Sequence, residues 1–132
     1  KIVSSIFSKI ISGKIPCYKI AEDDSFLAFL DIQPLVKGHT LVIPKKEIDY
    51  IFDIDDQTLS KMMVFSKMVA AKLKASMPCD RIGISVIGLE VPHAHVHLVP
   101  INEIQDMNFS KAKLELSNTE MIAIQRRIVK QA

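Results

Sequence analysis

Four histidines occur in this chain of 132 residues, and three of them, His93, His95 and His97, alternate with Ala94, Val96 and Leu98. An extended strand sends successive side chains to opposite faces. Such a segment lines up three imidazoles on one face and three apolar groups on the other. Neighbouring rings then stand roughly 6.5–7 Å apart, two residues at ~3.3 Å each. A helix would scatter the same residues over roughly 200° at ~100° per residue and build no site. Val96, Leu98 and Val99 favour the strand, and Pro100 is expected to end it. Three kinds of chemistry fit the run. The rings can be incidental on a half-exposed strand, or they can share a Zn²⁺ ion. They can also act on a phosphate ester. An ordinary imidazole titrates near ~6.5, and crowding lowers that further, so each ring is neutral at pH 7. A neutral ring has a lone pair that can attack phosphorus and later be displaced by water.

The rest of the chain must position these rings. Ile2, Val3, Ile6, Phe7, Ile10 and Ile11 recur at helical spacing and predict an amphipathic helix of about two to three turns, stopped at Gly13. Residues 17–22 and 26–30 read as a hairpin of two strands across Glu22-Asp23-Asp24-Ser25. Asp31 follows, a strand-end carboxylate that could also accept two hydrogen bonds from a vicinal diol. Residues 33–38 form a loop broken by Pro34 and Gly38. His39 then opens a third strand to Ile43, where a lone imidazole among apolar neighbours reads as half-buried. Residues 55–76 predict a long helix with an apolar face through Leu59, Met62, Met63, Phe65, Met68, Val69 and Leu73. Residues 81–87 predict a fourth strand, joined to the histidine strand by a short turn at Gly88-Leu89-Glu90. Ser117-Asn118-Thr119-Glu120 resembles a capping box before a final helix carrying Met121, Ile124 and Ile128 on one stripe.

Composition excludes several classes. Hydrophobic residues make up 48% and charged residues 24%, as in ordinary globular proteins. The net charge of +2 is too small to argue for nucleic-acid binding. No apolar run approaches ~18 residues, so no spanning helix or membrane association is expected. The start lacks the pattern of a secretory leader. Cys17 and Cys79 have no metal-type spacing and suggest free thiols in a reducing, cytoplasmic setting.

His-x-His-x-His followed by two apolar residues resembles the signature of the histidine triad (HIT) superfamily of nucleotide hydrolases and transferases, closest to its Hint-like branch. Three further blocks, residues 6–16, 29–34 and 38–46, resemble the family in the same order, so the likeness covers about residues 5–100. It implies an α+β fold in one domain over residues 1–132. A five-stranded antiparallel sheet carries one long helix, with helices at both ends and residues 101–132 as an extension. It implies His95 as the nucleophile on the α-phosphorus of a purine nucleotide conjugate, with His93 and His97 donating to phosphate and leaving group. His39 would orient the central imidazole. Asp31 would hold the ribose hydroxyls, and Ile6, Phe7, Ile10, Phe29 and Ile32 would wall the base and sugar. Apart from the resemblance, the backbone N–H groups of the turn from Gly88 through Glu90 to Val91 can add phosphate contacts. No cofactor or metal is implied, and the family's usual pairing predicts a homodimer.

The chain departs from the pattern in three places. The family commonly has Gly-Gln-Ser or Gly-Gln-Thr where this chain has Gly88-Leu89-Glu90, and a carboxylate cannot donate to phosphate unless protonated. The family's Asn on the preceding strand has no match in residues 81–87. Zinc-bearing members use two Cys and two His where this chain has Ser5, Ser8, Glu47 and His93, so a structural zinc is not expected. The changes at 89 and 90 keep a second reading open, a nucleotide-binding or interaction module of little activity.

Overall fold

The structure is a computed structural model and describes residues 5–131. Its elements in order are α1 (Ile6–Ile11), β1 (Lys19–Glu22), β2 (Phe26–Leu30), β3 (Thr40–Pro44), α2 (Asp56–Ser76), β4 (Arg81–Ser85), β5 (Val96–Ile101) and α3 (Asn118–Val129). Short 3₁₀ turns occupy Ile51–Asp53 and Ile104–Met107. The five strands form one antiparallel sheet in the order β1-β2-β3-β5-β4. The α+β architecture expected from the sequence is therefore present. No helix among the described residues is long and apolar enough to cross a membrane.

β2 and β3 are buried along their whole length, so both read as unbroken apolar runs. Their alternation still sorts the core into two layers. Phe26, Ala28, Leu30 and Val42 face α2 and α3 and pack with Met62, Phe65, Val69 and Leu73. Leu27, Phe29, Leu41 and Ile43 face the other way, against Phe7 of α1. Register decides which layer receives the imidazoles. His97 lies opposite Leu41, and Leu41 lies opposite Phe29, so His97 emerges on the α1 face beside Phe29 and Phe7.

Several boundaries differ from the sequence prediction, each for a local reason. α1 has only six residues; Ser5 caps it by accepting from the Ser8 N–H, and Gly13 leaves it at φ +82°. Ile2 and Val3 lie outside the described residues. β5 begins at Val96, so His93, Ala94 and His95 precede the strand. There the Ala94 N–H donates to the Ile48 carbonyl at 2.7 Å instead of to a sheet neighbour. The link from β4 is thus a ten-residue excursion through residues 86–95, not a tight glycine turn. Pro100 lies inside β5 rather than ending it. The Ile101 carbonyl points at β4, accepting from Asp80, so the nitrogen of Pro100 points towards β3. β3 pairs only as far as Leu98, so the missing N–H breaks no ladder bond. On α2 the buried stripe is Met62, Phe65, Val69 and Leu73, while Met63 and Met68 are exposed.

The final helix carries the predicted capping box at Ser117 and Glu120. It buries Met121, Ile124 and Ile128 in the α2 layer, each contributing roughly 1.5–3 kcal/mol. Gln125 donates to the Lys19 carbonyl at 2.9 Å, and Arg127 to the Ser76 carbonyl at 3.0 Å. The carboxyl-terminal segment is therefore fastened to both β1 and α2.

Gly38 precedes His39 at φ +93°, and a Cβ there would meet Met77 Cγ at 3.0 Å and Pro100 Cγ at 3.3 Å. Gly88 also has positive φ but faces open space. Gly38→Ala should lower unfolding free energy by about 2–3 kcal/mol, adding crowding to strain, and Gly88→Ala by only about 1 kcal/mol. Urea denaturation of both variants checks this; equal losses would contradict it.

Candidate active site

One cavity of about 370 Å³ opens on the α1 face of the sheet. Phe7 and Phe29 form its inner apolar wall, with ring centroids 5.6 Å apart at 68°. Ile6 and Ile10 of α1 extend that wall, and Ile32, 70% exposed, stands at the rim. Asp31, at the end of β2, lines the same cavity, with His39, His95 and His97. Glu90 and Val91, from the long β4–β5 link, complete this side. Every site residue proposed from the sequence lines this cavity except His93.

The hydrogen bonds around the rings fix where each proton sits. His95 Nδ1 lies 2.7 Å from the carbonyl oxygen of His93. A carbonyl only accepts, so Nδ1 carries the proton and Nε2 of the neutral ring keeps its lone pair. The backbone N–H of Leu35 donates to His39 Nδ1 at 3.0 Å. His39 must then carry its proton on Nε2, which lies 3.0 Å from His97 Nδ1. His97 Nδ1 accepts that proton's hydrogen bond, so its own proton sits on Nε2. Two adjacent rings, with centroids 4.9 Å apart, therefore differ in character. His95 offers a lone pair at Nε2 and His97 offers an N–H at Nε2.

Burial keeps the supporting rings neutral. Loss of water around His39 pushes its pKa down to about 3, and the neighbouring His97, Lys113 and His95 add to the fall. His97 drops to about 4, through burial and then His95. Asp31 moves the opposite way: burial raises its pKa, while the Gln33 N–H, donating to Oδ1 at 2.9 Å, opposes the rise. Asp31 Oδ2 stands 3.7 Å from His39 Nε2.

Two expectations need correction. His93 does not reach the cavity to meet phosphate. It is fully buried behind Phe7, with Nε2 donating to the Pro44 carbonyl at 2.8 Å and Nδ1 accepting from the Ser5 hydroxyl at 2.8 Å. Its contribution to the site is its carbonyl, which holds His95. His39, in turn, orients His97 and not the central ring. The alternation of the motif could not reveal this, because His93 precedes the pleated part of the strand.

The residues at the zinc positions of other members do not fit a zinc ion here. Glu47 accepts from the Ser5 N–H at 2.8 Å and from the Ser8 hydroxyl at 2.5 Å, and both nitrogens of His93 are already engaged. Hydroxyls, which are poor zinc ligands, stand where those members have thiolates. A different trio, Asp31, His39 and His97, brings ligand atoms within 4.8 Å of one another. A cation there would have to displace the proton shared between the two rings. The three motif histidines do not converge on one point, so the shared-metal reading of the run loses its geometry.

The carboxyl-terminal segment, which the motif blocks do not reach, adds Phe109 and Lys113 to the lining. Phe109 sets its ring 4.7 Å from that of His97, and Lys113 lies beside it. Both come from a weakly patterned stretch without helical or strand periodicity.

A sequence model described as the HIT domain matches residues 12–104. An uncharacterized HIT-like protein of Borreliella burgdorferi is 35% identical over 130 residues, 91% of this chain and 94% of that one. The adenosine 5'-monophosphoramidase of Saccharomyces cerevisiae is 38% identical over 100 residues, 72% of this chain and 61% of that one. The crystal structure of a hypothetical histidine triad nucleotide-binding protein from Sulfolobus tokodaii superposes with a TM-score of 0.81 at 29% identity, covering 95% of this chain and 89% of that one. With the domain model matched over most of the chain and three of its four histidines lining one cavity, this chain belongs to the HIT family.

Proposed function

We propose that the protein is a nucleotidyl hydrolase acting on purine nucleoside phosphoramidates or related nucleotide conjugates. The carrying observation is the pairing of a lone pair on His95 with an N–H on His97, in one cavity with Asp31. The substrate's base lies against Phe7, Phe29 and Ile10, and Asp31 accepts from the ribose hydroxyls. His95 Nε2 attacks the α-phosphorus and forms an N–P bond. The bond to the leaving amine breaks with its electron pair going to nitrogen, which takes a proton from water. The His97 N–H holds a phosphoryl oxygen as charge builds on it. The positive ring of the covalent intermediate keeps its Nδ1 proton on the His93 carbonyl. Water then attacks phosphorus, returns the electron pair to His95 and releases the nucleoside monophosphate and a proton. The yeast relative's adenosine 5'-monophosphoramidase activity supports this substrate class.

A second reading rests on Glu90. Glu90 is among the lining residues, and a negative charge there opposes an incoming phosphate. On that reading the chain binds nucleotides and turns them over little. Turnover of adenosine 5'-phosphoramidate separates the two. The hydrolase reading expects turnover, lost by about 10³-fold or more in His95→Ala with nucleotide binding retained. Binding without turnover favours the module, and near-native turnover by the variant removes His95 from the nucleophile's role.

The free thiols Cys17 and Cys79 fit work in a reducing cytoplasm. We also propose a homodimer through the β4 side. β4 is an edge strand, and Ile84 beside Met63 and Val64 of α2 leaves a continuous exposed apolar surface there. Sedimentation should give twice the chain mass, and Ile84→Lys should return the monomer. A wild-type monomer at micromolar concentration would contradict this.

A further inference from the structure

The cavity's charge is unusual for a site that takes an anion. Two carboxylates, Asp31 and Glu90, line it. The supporting rings are neutral, with His39 at about 3 and His97 at about 4. A nucleotide phosphate brings further negative charge into this setting. Among the described residues that line the cavity, Lys113 is the one lysine or arginine. It lies beyond residues 12–104, the span of the family domain.

Lys113 is held in place before any ligand arrives. Its ammonium donates to the Phe109 carbonyl at 2.7 Å and to the Lys111 carbonyl at 3.4 Å. An ammonium has three N–H groups, so one remains for a ligand. Phe109, whose carbonyl fixes the ammonium, packs its ring 4.7 Å from His97 and 6.1 Å from His39. The next residue, Leu114, ties the segment to the loop before His39 by donating to the Pro34 carbonyl at 2.9 Å. The lysine's charge is close enough to lower the pKa of both Asp31 and His39. A tethered, partly buried cation loses little freedom on binding and is screened less than a surface lysine.

We propose that Lys113, supplied by the carboxyl-terminal segment, is the binding residue for the substrate's anionic phosphate. This rests on the nucleotide reading above. It also accounts for how a chain with Leu89 and Glu90 in place of neutral donors can accept a phosphate at all. Phe109 and Lys113 are then part of the site, and the charge of Glu90 is offset by a cation supplied from beyond the family domain.

Calorimetric titration with AMP and with adenosine tests it, because the two differ only by the phosphate. Lys113→Met should weaken AMP by about tenfold or more, the loss expected of one charge-assisted contact, and leave adenosine binding unchanged. Lys113→Arg should restore most of the AMP affinity. Lys111→Met, which removes the same charge from a residue paired with Asp106 outside the cavity, should bind both ligands like the wild type. Unchanged AMP affinity in Lys113→Met, an equal loss for adenosine, or an equal effect of Lys111→Met overturns the assignment while the nucleotide reading stands. A wild-type protein that binds neither ligand overturns the nucleotide reading and the assignment with it.

Discussion

The chemistry of this site is ordered by two backbone groups. The Leu35 N–H, directed at His39, and the His93 carbonyl, directed at His95, are both fixed by the fold and cannot exchange roles. From them the proton positions on three imidazoles follow without choice. A peptide N–H always donates and a carbonyl always accepts, so His95 keeps a free lone pair and His97 a free N–H. Burial then removes the remaining freedom by making the protonated forms of His39 and His97 costly. The side chains are imidazoles throughout, yet their surroundings give them different work.

The fold serves that arrangement by bringing distant pieces of backbone into register. β3 sets Leu41 opposite His97 and, two residues earlier, presents His39 beneath it. The loop through Leu35 closes over His39 because Gly38 turns at positive φ against Met77 and Pro100. On the other side, His93 is clamped between the Ser5 hydroxyl and the Pro44 carbonyl, which holds its own carbonyl towards His95. The cluster of Ser5, Ser8 and Glu47 binds α1 to the end of β3 by hydrogen bonds alone. α1 in turn carries Phe7, whose ring stands 5.1 Å from that of His95 at 81°.

Much of this was legible in the residues. The apolar runs of β2 and β3, the apolar face of residues 55–76, the capping box at Ser117 and the stripe of Met121, Ile124 and Ile128 marked out the main elements. The wall residues Phe7, Phe29 and Asp31 also fell into one cavity as the motif blocks implied. What the residues did not reveal was tertiary. Pro100 sits within a strand because its neighbour β3 has already ended. His93 turns away because Ala94 bonds to Ile48. Phe109 and Lys113 belong to the cavity because a helix further along the chain is docked on α2 and β1. Local periodicity carries no information about such long-range closures.

The most direct test is nitrogen-15 NMR of the imidazole rings at neutral pH and again at about pH 5.5, an interval above the values that burial sets for His39 and His97. The account predicts a protonated Nδ1 with bare Nε2 on His95 at neutral pH. It predicts protonated Nε2 with bare Nδ1 on both His39 and His97, unchanged at the lower pH. A proton on Nδ1 of His97, or His39 and His97 already mainly cationic at about pH 5.5, would contradict it.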